Sequence, residues 1–389
     1  MRTLDAVTLS LTGPGSHTIV REPGVGSLSI GPARPGAPPP EVVVGADDTI
    51  DWSAFEPLTV PAGYPWPRFF MYQGNDVGIF AWSVTRRIEN LEWTPAAPIA
   101  VDASAARIGH LSVAVRAPLD IVVPPFPGNC QNFTAAGDLS LLRPALPAGA
   151  ECPALTFAPD TGPTPAADPV RLPAFPALAH ATSVEVNVEP GRQAFDCASL
   201  RQYSGVRRLA LRGQLTGLAA LADLPELTGL QLRYSPDLSD LPPLDTWPRL
   251  DVIIGWNIEE ATGKRLRGEI RQLTRTAGRE WKFASATRLR RPEWFATEYG
   301  LPFSGWPKNT ARAAVKAYRA AATGIAAATS PDGVEAAIRE FVRAVNRLPG
   351  IETAEREDAG AAVDQLAAAA PVDVAPDLAQ SWFDTERDF

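Results

Sequence analysis

The side chains with the most obvious capacity for binding fall in one stretch. Glu185 and Glu189 stand close together, and Arg212, Arg233 and Trp256 follow at nearly even intervals. Two guanidiniums between a carboxylate and an indole have the composition of a protein-binding hot spot, where arginine and tryptophan carry much of the energy. Planar guanidinium forks also match carboxylate or phosphate oxygens two at a time. Two glutamates side by side on a sheet, by contrast, are the minimum for a polysaccharide lyase on a β-helix. No other reactive constellation is present. The chain has no Gly-x-Ser-x-Gly elbow, no phosphate-cradling Gly-Lys-Ser/Thr loop and no Cys-x-x-Cys. His17, His110 and His180 are isolated, and none has metal-ligand spacing. The expectation is a non-enzymatic protein without cofactor or metal.

Three further groups invite chemistry and have plainer readings. Between Lys264 and Arg291 lie ten basic residues and two acidic ones, interleaved with Trp281 and Phe283. That pattern suits a nucleic-acid patch, but equally a solvated face. Glu355-Arg-Glu-Asp358 resembles an acid cluster, yet in the first turn of a helix such residues compensate the macrodipole. Cys130, Cys152 and Cys197 are odd in number and far apart, and they read as reduced, buried thiols of a cytoplasmic protein.

The elements that must position these residues follow from a periodicity. Val206-x-x-Leu209-x-Leu211 recurs as Leu227-x-x-Leu230-x-Leu232, and again as Leu250-x-x-Ile253. A step of the same length back from Leu209 and Leu211 lands on Val186 and Val188. A period within the range of about 20–29 residues, with this apolar spacing, resembles the leucine-rich repeats of a degenerate bacterial repeat protein. The resemblance implies an α/β solenoid with one parallel sheet, leucines inward and intervening residues outward. It predicts three outward columns: Glu185, Arg208, Gly229, Val252; Asn187, Ala210, Gln231, Ile254; and Glu189, Arg212, Arg233, Trp256. The partner-binding residues expected from them are Glu189, Arg208, Arg212, Gln231, Arg233 and Trp256. The family's turn asparagine is replaced by Gln214 and then Ser235, and Pro225, Pro242, Pro243 and Pro248 point to short back-side turns rather than full helices.

Around this centre the chain divides into a β-rich N-terminal region (1–182) with a cap and irregular coils, the repeats with a closing helix and strand (183–306), and an all-α C-terminal domain (307–389). Val7-Thr-Leu-Ser-Leu11 and Ser27-Leu-Ser-Ile30 alternate as strands do. Ile88-x-x-Leu91-x-Trp93, Leu111-x-Val113-x-Val115, Leu139-x-Leu141 and Leu155-x-Phe157 fit the repeat template at uneven intervals. A single solenoid or a separate β domain accounts for them. The aromatics Trp52, Phe55, Tyr64, Trp66, Phe69, Phe70, Tyr72, Phe80 and Trp82 suit a core-sealing end cap or a ligand platform. Helices are expected at 259–276, from Asn309 or Thr310 to 329, at 331–349 behind the cap Ser330, and at 353–370. Trp382, Phe383 and Phe389 are expected to dock the tail.

Thirty-nine prolines among 389 residues favour turns and short strands. A net charge of −8 disfavours binding nucleic acid over the whole surface. Thirty-two arginines against four lysines resemble a GC-rich bacterial coding bias. The N-terminal stretch has no apolar h-region, and no run of about 20 apolar residues occurs, so neither a signal peptide nor a membrane span is expected. The functional expectation is a cytoplasmic module that binds a protein partner, of adaptor or toxin-immunity type. The alternatives are nucleic-acid binding through 264–291 and the β-helix lyase.

Overall fold

The computed structural model describes residues 5–388 except 22–24, 35–37, 61, 163, 165 and 166. Phe389 lies outside the described residues, as does part of the proline-rich stretch 31–40. The chain forms two compact units, residues 1–295 and 296–389.

In the first unit, a hairpin of β1 (Asp5–Leu9) and β2 (His17–Arg21) leads to β3 (Ser27–Gly31), β4 (Val42–Val43), β5 (Phe69–Gln73), helix α1 (Gly78–Trp82) and β6 (Ile88–Thr94). Then come β7 (Ile99–Asp102), β8 (Ile108–Val115), β9 (Leu119–Val122), β10 (Asn132–Gly137), β11 (Leu142–Ala145) and β12 (Ala154–Pro159). After β13 (Ser183–Asn187) follow β14 (Phe195–Asp196), β15 (Arg208–Arg212), β16 (Leu215–Thr216), β17 (Gly229–Arg233) and β18 (Val252–Trp256). Helix α2 (Glu260–Thr276), β19 (Phe283–Thr287) and helix α3 (Pro292–Thr297) complete the series.

Twelve of these strands make one open sheet, in the order β4-β3-β5-β6-β8-β10-β12-β13-β15-β17-β18-β19. Every pairing in it is parallel. The sheet passes residue 182 without interruption. Two inward columns fill its core. Phe70, Leu91, Leu111, Phe133, Leu155, Val184, Leu209, Leu230 and Ile253 stack in one; Tyr72, Trp93, Val113, Ala135, Phe157, Val186, Leu211 and Leu232 stack in the other. All are buried. Each large member contributes about 1.5–3 kcal/mol relative to exposure.

The connections close the core from behind. β7, β9 and β11 form a three-stranded parallel sheet, β14 and β16 pair in parallel, and short 3-10 turns occupy 197–202, 218–223 and 244–246. Leu119, Ile121, Leu200, Leu218, Leu221 and Leu244 reach the same core. Pro225, Pro242, Pro243 and Pro248 thus sit in the short connections, outside strands and helices. Glu259 caps α2, its carboxylate accepting from the Ala261 and Thr262 amides. Leu266 buries its face, and Leu289 packs against the helix at Gly263, where a Cβ would lie 2.2 Å from Leu289 Cδ2.

One expected strand is corrected. Leu139–Leu141 is a 3-10 turn, and the strand lies ahead of it at Asn132–Gly137. Asp138 starts the turn by accepting from the Ser140 amide at 3.0 Å. Gly137 ends the strand at φ +106, where a Cβ would stand 2.4 Å from the Val115 carbonyl oxygen. With Phe133 as the inward residue, the steps from Leu111 to Phe133 and from Phe133 to Leu155 are equal. The unevenness read from Leu139 disappears.

Seven rings of the N-terminal aromatic group are buried, whereas Tyr64 is exposed. Trp52 stacks on Trp82 at 6.2 Å, and Phe70 meets Trp82 edge-on at 5.9 Å. Arg86 is buried against them. Its guanidinium carbon lies 4.8 Å from the Trp82 ring centre and its Nη2 donates to the Pro67 carbonyl at 3.0 Å. Burial pushes this guanidinium down to about 10.

The second unit contains α4 (Lys308–Ala326), α5 (Pro331–Asn346), α6 (Thr353–Ala368) and α7 (Pro376–Glu386). Ser330 accepts from the Gly333 amide to cap α5, and Val334, Ile338, Phe341, Val342 and Val345 line its buried face. Glu352 and Glu355 form a reciprocal capping box at α6, so this part of the acidic run serves a helix start. The tail does more than dock: it is itself a helix. Trp382 and Phe383 on α7 are buried, and Glu386 accepts from Arg339 at 3.0 Å and Arg343 at 2.6 Å.

Two measurements test this packing. Phe133→Ala should cost about 3–5 kcal/mol, read as a lower urea midpoint by tryptophan fluorescence; an unchanged midpoint would place Phe133 outside the core. Burial pushes the Cys130 thiol up to about 11. A thiol with a raised folded pKa loses its proton first in the unfolded chain. Stability should therefore fall between about pH 9 and 11, by about 2–3 kcal/mol at about 1.36 kcal/mol per pH unit. Cys130→Ala should flatten that fall.

Candidate functional site

The residues facing outward from β13, β15, β17, β18 and β19 are set by the parallel register. One column runs Ser183, Arg208, Gly229, Val252, Phe283; the next Glu185, Ala210, Gln231, Ile254, Ser285; the third Asn187, Arg212, Arg233, Trp256, Thr287. Adjacent members of a column are about 4.8 Å apart. Arg208, Arg212, Gln231, Arg233 and Trp256 all share this face.

Glu189 does not sit in the third column, which corrects the expected register. Leu209 pairs with Val184 and not with Val186, because the connection between these two strands is longer than the regular repeat. Glu189 therefore lies past the end of β13, before the turn at Gly191 with φ +74. Asn187 takes its place and donates through Nδ2 to Glu185 Oε1 at 3.0 Å. Glu185 accordingly faces Ala210, not Arg208.

The face has two halves. On β15 and β17 it is cationic. Arg208 is exposed and spans Gly229, where a Cβ would lie 3.6 Å from Arg208 Cγ. Arg212 places its guanidinium carbon 5.0 Å from the Tyr234 ring centre. Arg233 donates to Gln231 Oε1 at 3.2 Å. On β18 the face is apolar, whereas β19 presents Phe283 beside Ser285 and Thr287. Val252, Ile254 and Trp256 are half-buried, and Phe283 is 54% exposed. Arg288 stacks its guanidinium 4.8 Å over Trp256, at the outer edge of that apolar half. A groove of about 690 Å3 runs across β13, β15, β17 and the start of β18, lined by Glu185, Arg208, Arg212, Gln231, Arg233, Tyr234 and Asp251 among others. Lys282 neutralises Asp251 at 2.5 Å.

The rim is fixed by backbone geometry. Gly213, Tyr234, Asn257 and Arg288 follow the last residues of four successive strands, and all have positive φ: 98°, 52°, 51° and 50°. Left-handed backbone costs a non-glycine residue about 1–2 kcal/mol. The conformation is compensated by a ladder of amides: Gly213, Tyr234 and Asn257 donate to the carbonyls of Arg233, Trp256 and Thr287 at 3.0, 3.0 and 3.3 Å. Asn257 is 1% exposed and accepts from Arg290 Nε at 2.8 Å. Tyr234 and Arg288 carry cation–π partners of the face, a contribution the leucine count did not reveal; their signal is position, immediately past each strand.

Several cations of the basic segment 264–291 are engaged within the chain. Lys264 pairs with Glu260 at 2.6 Å, Arg265 with Glu269 at 2.8 Å and Lys282 with Asp251. Arg267 and Arg279 donate to the carbonyls of Ala286 and Leu244 at 2.7 and 3.0 Å. Among the described residues, no three His, Cys, Asp or Glu side chains are arranged to hold a metal ion, and no helix is long and apolar enough to cross a membrane. His110 bonds Asn132 at 2.7 Å on the outward face of β8 and β10.

Gly213 supports the Arg212 end of the face and is the strictest position in it. A Cβ at 213 would stand 1.8 Å from the Val188 carbonyl oxygen. Gly213→Ala should therefore cost at least about 2 kcal/mol, seen as a lower thermal midpoint by circular dichroism. A variant as stable as the parent would contradict the close approach of these strands.

The sequence matches no known protein family, and neither the curated proteins nor the solved structures contain a match to it.

Proposed function

We propose that this chain is a non-enzymatic protein-interaction module: a leucine-rich-repeat-like solenoid that captures a partner protein through the outward face of β15, β17 and β18. The observation that carries the reading is the alignment of Arg208 and Arg212 on β15 and Arg233 on β17 with Val252, Ile254 and Trp256 on β18, where Arg233 lies directly beside Trp256. Arginine and tryptophan anchors around a half-apolar patch are what protein interfaces concentrate. The role read from this face is of adaptor or toxin-immunity type. The buried, free thiols Cys130 and Cys197 fit a reducing cytoplasm.

Two competing readings are less well supported. The basic 264–291 segment spends much of its charge on Glu260, Glu269, Asp251 and backbone carbonyls, which leaves less for phosphates. A lyase needs converging carboxylates. Glu185 is on β13 and accepts from Asn187, whereas Glu189 lies past the end of that strand, so the two glutamates do not share the sheet face.

The test is affinity capture with the whole chain, followed by mass spectrometry. The double variant Arg212→Glu/Arg233→Glu should lose at least about 90% of the specific capture, equivalent to about 1.4 kcal/mol. Equal recovery of the same partner by a correctly folded variant would move the binding surface elsewhere.

A further inference from the structure

The geometry points to the form of the partner's contact: an amphipathic α-helix laid across the strands, with acidic side chains over β15 and β17 and an apolar one over β18. The inference rests on the partner-binding reading of this face and adds the chemistry and spacing of the ligand.

Charge comes first. The groove carries Arg208, Arg212 and Arg233, against Glu185 and an Asp251 already paired with Lys282. The complement is a ligand with carboxylates at one end only. Beyond Arg233 the same column turns to Trp256, and its neighbours on β18 are Val252 and Ile254, with Phe283 exposed on β19. An anionic polymer of uniform charge, such as a nucleic acid, would satisfy the first half and leave the second against its backbone. A segment that is acidic at one end and apolar at the other satisfies both.

Spacing then selects the helix. Arg212, Arg233 and Trp256 are consecutive members of one column, so the first and last are about 9.6 Å apart. Two turns of α-helix advance about 10.8 Å. An extended strand repeats its side-chain face about every 6.7 Å, so two repeats span about 13 Å. The helix mismatch is about 1.2 Å, within the reach of a flexing arginine, whereas the strand mismatch is more than about 3 Å. The matching sequence pattern places Asp or Glu at i and i+4 to meet Arg212 and Arg233. It places a large apolar residue at i+7 to meet Trp256, and the column then passes to Thr287 on β19. The guanidinium–ring stacks Arg212–Tyr234 and Arg288–Trp256 hold the two ends of this column in place before a ligand arrives, which lowers the ordering cost of binding.

The experiment uses the full chain and two fluorescein-labelled peptides of identical composition, each stapled as a helix. One carries Glu at i and i+4 and Leu at i+7; the other has the same residues distributed around the helix. Fluorescence anisotropy should show the matched peptide binding at least about tenfold tighter than the redistributed one. Arg212→Glu/Arg233→Glu and, separately, Trp256→Ala should each remove most of that preference, with folding checked by circular dichroism. Equal affinity for the two peptides would overturn the inference, as would binding unaffected by both variants. Displacement of the matched peptide by single-stranded DNA at a lower concentration than by unlabelled peptide would also overturn it, in favour of nucleic acid. If partner capture from lysate still depends on Arg212 and Arg233 while the peptides are indistinguishable, the partner-binding reading stands and the helical contact falls.

Discussion

The register of the parallel ladder is the constraint on which the rest depends. Each strand gives one set of side chains to the core and the other to solvent, and a slip of one residue would exchange them. The inward columns are apolar from Phe70 to Ile253, so the register is held by burial at every step. Parallel sheets are normally covered on both faces. Here the back is closed by short strands and 3-10 turns, while Arg208, Arg233 and Phe283 stay exposed on the other side. The outward face is therefore free of packing demands, and its residue choice is available for recognition.

The rim shows how backbone geometry serves side chains. Three consecutive strands end in a left-handed non-glycine residue, and a fourth ends in Gly213. The amide ladder makes this conformation tolerable by pairing groups that a turn would otherwise leave unmet. It also sets Tyr234 and Arg288 where they stack with Arg212 and Trp256. Cationic and apolar halves of the face are thus tied together by contacts made at strand ends, outside the repeat template itself.

Burial governs the remaining ionisable and thiol groups in the first unit. Cys130 and Arg86 shift in opposite directions for one reason: low-polarity surroundings disfavour the charged form of each. Arg86 retains one backbone acceptor and the Trp82 ring in place of solvent. These groups belong to the packed interior, apart from the outward columns.

Much of the fold was legible in the residues. The spacing of Leu209, Leu211, Leu230, Leu232 and Ile253 determined a parallel sheet with a defined inner face, because buried apolar side chains must recur with the strand period. Ser330, Pro331 and the apolar face of α5 determined that helix, because caps and amphipathic spacing are local. Tertiary structure decided what depends on the length of connections. The longer step from Val184 to Leu209 exchanged Glu189 for Asn187 in the arginine column. Phe133 replaced Leu139 as a core strand residue because Gly137 and Asp138 end the strand there. The placement of Tyr234 and Arg288 on the face required the backbone sign of φ, which composition does not encode. Local patterns identify which side chains must be buried; only the closed hydrogen-bond ladder fixes which of the remaining ones stand next to each other.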